Sequence, residues 1–160
     1  MEPNKAVRML LAAIVFSTSS CGYFPVFRSQ SPDRKHEIRV LRNLPGFEAE
    51  YAVRVEISGP SDQATIFSKK RTAINFVEAQ WLPDSTQVGV LLCGWWTGPF
   101  IGGYDTIRHR ALDGNIFKSA IAQQVRDKYS VPPGVDPIRW ACSSDGRDEY
   151  RRLNKAYPSE

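Results

Sequence analysis

Residues 51–57, YAVRVEI, decide the fold class of this chain. Tyr51, Val53, Val55 and Ile57 fall on one side of an extended backbone, and Ala52, Arg54 and Glu56 on the other. This period of two marks a half-buried β-strand. Residues 58–62, SGPSD, close it, because glycine and proline punctuate a chain while Ser and Asp bond their own backbone. The same unit recurs on both sides: HEIRVL (36–41) before it, then ATIFS (64–68), INFVEAQWL (74–82), QVGVLLC (87–93) and YDTIRHR (104–110) after it. QVGVLLC is the most continuously apolar and reads as the most buried strand. Short strands at hairpin spacing predict an antiparallel β-meander of about six strands.

Beyond residue 113 the period changes. Phe117, Ile121, Val125 and Tyr129 recur every four residues and place an apolar stripe on one helix that ends before VPPG (131–134). A second, more basic helix is expected over 148–156, with Tyr150, Leu153 and Tyr157 sharing a face. Both stripes need a partner, so the expected class is α+β, one or two C-terminal helices packed on the sheet. Arg147, Arg151, Arg152 and Lys155 put cations on one side of that last helix. They could approach anionic headgroups, but Asp148 and Glu149 interrupt the charge and favour a solvated face with local ion pairs.

Two turns match one another: SPDR (31–34) and LPDS (82–85) each place Pro-Asp ahead of a strand. Both resemble the Ser-Pro-Asp-Gly turn of β-propeller blades, with Arg34 and Ser85 where the glycine stands. Proline suits the second position of a type I turn, and aspartate bonds nearby amides. A propeller needs at least four blades of four strands, and this chain has no room for one.

The N-terminus carries a different message. Lys5 and Arg8 precede the apolar run Met9–Phe16, which gives way to STSSC (17–21). That is the three-part layout of a secretory signal, and the run falls short of the roughly 20 residues that span a bilayer. STSSC resembles the lipobox of bacterial lipoproteins, in which the cysteine is acylated and becomes the mature N-terminus; Thr18 stands where leucine is usual, and Ser20 suits the cut. With the turns and the strands after them, the chain is similar to small bacterial lipoproteins of unknown function. The resemblance implies location and shape: a signal peptide over 1–20, a lipid on Cys21, a tether over 21–31 and a single domain over 32–160. Gly22 after the cysteine implies the outer membrane, facing the periplasm, in a host with two membranes. A soluble periplasmic or secreted protein is the alternative, with Cys21 left as a thiol or a disulfide partner.

Removing 1–20 takes Lys5, Arg8 and Glu2 from the 21 basic and 17 acidic residues of the chain. The remaining excess is too mild for a nucleic-acid partner, which asks for a concentrated basic patch. If lipid consumes Cys21, the three cysteines reduce to Cys93 and Cys142, a candidate disulfide in an oxidising compartment. The competing account is two buried thiols packing as small hydrophobes. Neither cysteine has a second ligand at metal-site spacing, and no cofactor or metal is expected.

No GxSxG, HExxH or glycine-rich phosphate loop occurs, so no catalytic residue is assigned. The chain has 2 histidines, His36 and His109, and an envelope hydrolase would have to use one of them. By alternation His109 shares a strand face with Asp105 and Ile107. The remaining feature is CGWWTGPFIGGY (93–104), where Trp95, Trp96, Phe100 and Tyr104 are interleaved with glycines. Such a loop offers flat apolar surface to a glycan or an envelope protein, or folds back to cap the sheet. The expectation is a lipid-anchored binding or structural module rather than an enzyme, held to the membrane through its N-terminal lipid.

Overall fold

A computed structural model describes residues 22–43, 52–70, 73–94 and 98–154. Among these described residues eight strands form two separate four-stranded antiparallel sheets, each in sequence order. Sheet A holds β1 (Tyr23–Gln30), β2 (Glu37–Asn43), β3 (Ala52–Ser58) and β4 (Gln63–Lys70). Sheet B holds β5 (Ile74–Trp81), β6 (Gln87–Gly94), β7 (Phe100–Asp105) and β8 (Arg110–Asp113). A 3₁₀ turn (Gly114–Phe117) leads into α1 (Lys118–Lys128), α2 (Pro137–Ala141) and α3 (Ser144–Leu153). The α+β class stands, with eight strands instead of six and three helices instead of one or two.

Each difference has a local reason. The segment expected to be a tether contains β1, which pairs with β2 from Tyr23↔Asn43 to Gln30↔Glu37. Its alternation is broken by an irregularity between Pro25 and Phe27, which hides the period of two. Gly102 and Gly103 read as loop, yet they lie within β7 because side chains occupy the space a Cβ would need: the Phe100 ring at Gly102, the Phe117 ring at Gly103. YDTIRHR is not one strand. β7 ends at Asp105, and His109 turns the chain with φ 49°. The extra helix α2 starts where Asp136 accepts from the Ile138 and Arg139 amides and Pro137 takes the first helical position, a combination suited to a helix start. The last helix begins at Ser144, after Ser143 caps it by accepting from the Gly146 amide.

The sheets are built on one plan. Ser31–His36 and Leu82–Gln87 close with the same pair of backbone bonds, and Arg34 and Ser85 both adopt positive φ, 61° and 63°. The two turns touch, since the Asp33 amide donates to Ser85 Oγ at 3.0 Å. One face of each sheet packs on the other: Phe67 meets Phe100 with ring centroids 4.2 Å apart, and Trp81 Nε1 donates to Ser29 Oγ at 3.2 Å. Between them lie Ile38, Val40, Val53, Val55, Ile57, Val77, Val88 and Val90, all fully buried. Helices cover the other face of sheet B, where the Phe76 ring lies 5.0 Å from Tyr129 and 4.9 Å from Tyr150. The stripe Phe117, Ile121, Val125 and Tyr129 is buried throughout, as its spacing requires. Glu78, also on the helix side, is buried and accepts from Gln124, Lys128 and Tyr129. A disulfide joins Cys93 at the end of β6 to Cys142 after α2, tying the helical layer to sheet B.

Candidate functional site

The strand directions give the molecule two ends. At the turn end lie the Pro-Asp turns, the β3–β4 turn and the β7–β8 turn; there the two histidines of the chain meet one carboxylate. Asp62 Oδ2 lies 2.9 Å from His109 Nδ1 and accepts from the Tyr104 hydroxyl at 3.2 Å, while Oδ1 stands 3.8 Å from His36 Nε2. The four side chains come from both sheets. The Asp62 and His36 side chains are 11% and 14% exposed, against 51% for His109, so the cluster is most open to solvent on the His109 side. Gly59 makes the approach feasible, because a Cβ there would collide with the His36 ring and the Asp62 carboxylate. Burial first, then the Asp62 charge, pushes the Tyr104 phenol above its ordinary value; it stays a hydrogen-bond donor.

His109 therefore has Asp62 as its carboxylate, not Asp105. Asp105 is buried and accepts from the Ile107 and Arg108 amides at 3.0 and 2.8 Å. The Arg108 amide is the main cause of its lowered pKa. An imidazole held by a carboxylate is half of a hydrolytic arrangement, which also needs a nucleophile within hydrogen-bond reach. Among the described residues no hydroxyl or thiol is hydrogen-bonded to either imidazole. No group of three or more His, Cys, Asp or Glu side chains among them is placed to hold a metal ion. The cluster links the two sheets through one shared, largely buried carboxylate.

The second feature is an open groove of about 740 Å³ between the start of β7 and α2, within the range of small-ligand sites. Phe100, Ile101 and Ile138 give it apolar floor, and Lys118, Arg139 and Ser143 line it with polar groups. Asp113 and Asp136 also line it, but both are engaged in capping, toward the Asn115 amide and toward the first amides of α2. Ser143 is engaged as well, donating to the Trp140 carbonyl at 2.6 Å. Cys142 forms part of the wall, so the disulfide fixes α2 against β6 at the groove.

The residues singled out from sequence are thus separated. Cys93 and Cys142 are bonded. Phe100 lines the groove and stacks on Phe67. Tyr104 lies at the far end of β7, buried, with its hydroxyl in the Asp62 cluster, so it shares no surface with Phe100. Cys21, Trp95 and Trp96 lie outside the described residues. Arg152 is held by Glu149 at 2.8 Å, and Arg147 lies 3.5 Å from Asp148, so these two cations of the last helix are paired locally, while Lys155 lies outside the described residues. Asp62 and His36 carry no local signal, because the contact spans of 42 and 47 residues that join Asp62 to Tyr104 and His109 exist only in the fold. No described helix is long and apolar enough to cross a membrane. Comparison with family models, with curated proteins and with solved structures finds no match to this chain.

Proposed function

We propose that the chain is an exported bacterial envelope protein, anchored by lipid on Cys21, that binds an envelope glycan or protein at the groove between β7 and α2. The observation that carries the reading is the Cys93–Cys142 disulfide. It supports an oxidising compartment, leaves Cys21 as the odd cysteine of the three, and fixes one wall of the groove. Pre-formed apolar surface with a few polar groups at its rim suits binding, and the groove's carboxylates and serine are committed to helix capping. This favours a binding role over catalysis.

Intact-mass analysis of the protein from its native envelope tests the anchor. The expected species begins at acylated Cys21 and sediments with membranes; a free thiol at Cys21, or a cut elsewhere, overturns it. The groove is tested by titrating soluble cell-wall glycan fragments or candidate envelope proteins against labelled protein. Binding should shift Phe100, Ile138 and Arg139, and exposed Arg139→Glu should weaken it at least tenfold, about 1.4 kcal/mol. Trp95→Ala and Trp96→Ala belong in the same series: loss of binding with unchanged melting marks recognition, whereas loss of stability marks a structural role.

A further inference from the structure

We draw no further inference here: the strongest candidate, the side-chain cluster of Asp62 with His36, Tyr104 and His109 at the turn end, belongs to the site already described, where it links the two sheets, and nothing in the structure shows a ligand it would take.

Discussion

Arg34 and Ser85 stand at matching places in the two Pro-Asp turns with φ 61° and 63°, a conformation only glycine adopts without a steric penalty. They should respond differently to the same change. Arg34→Gly relieves the left-handed backbone and should raise stability by about 0.5–1 kcal/mol, net of the extra chain entropy glycine brings. Ser85→Gly gains the same relief but loses the hydroxyl that accepts from the Asp33 amide across the sheets, so its net change should lie near zero or be unfavourable. Chemical denaturation of the two variants separates these outcomes. The turn carboxylates make a second statement. Asp33, Asp84 and Asp105 all have lowered pKa values, led by the Ser31 hydroxyl, the Thr86 amide and the Arg108 amide respectively. A carboxylate whose folded pKa is depressed contributes stability present above the unfolded value near 3.9 and lost as pH falls through the lower folded value. Melting temperature should therefore decline below about pH 4, and Asp105→Asn should flatten that decline; an unchanged acid limb in the variant would refute the assignment.

At the scale of elements, the contact between α1 and β5 turns on one buried acid. Glu78, with its side chain 3% exposed, accepts from Lys128 at 2.9 Å, Gln124 at 2.9 Å and the Tyr129 hydroxyl at 3.0 Å. Removing it strands a buried hydroxyl and a half-exposed ammonium, so Glu78→Ala should cost about 2–3 kcal/mol. Tyr129→Phe removes only one donor and should cost about 1 kcal/mol. The packing of the 3₁₀ turn on sheet B depends on the absence of side chains at Gly89 and Gly103, where a Cβ would collide with the Phe117 ring. Gly103→Ala should destabilise by about 1–3 kcal/mol through overpacking, and Gly103→Ala with Phe117→Leu should recover part of it. Equilibrium unfolding of the single and double variants checks the coupling.

For the whole molecule the disulfide is the main covalent constraint. It closes a loop between positions 49 apart, for which the chain-entropy account gives about 4 kcal/mol. Cys142→Ala should lower stability by about that amount, and non-reducing peptide mapping should recover LLCGWW joined to WACSS. At the turn end, Asp62 ties together three side chains, His36, Tyr104 and His109, from both sheets. Asp62→Ala should cost about 1–3 kcal/mol and loosen hydrogen-exchange protection at β4 and β7 before the rest of the core.

The strand period in 51–57, the four-residue stripe from Phe117 to Tyr129 and the glycine-deprived Pro-Asp turns were legible in the chain because each is set by near neighbours. So was the cysteine pair, by counting. β1 was hidden because Pro25 and the register shift after it break the alternation, and β7 because its glycines answer to Phe100 and Phe117, residues the local pattern does not connect to them. The division of eight strands into two facing sheets, the convergence of His36, His109 and Tyr104 on Asp62, and the groove between β7 and α2 were decided only in three dimensions. Local sequence governs backbone preference and which face is apolar; which distant carboxylate meets which imidazole depends on how the sheets stack, and that is a property of the packed core.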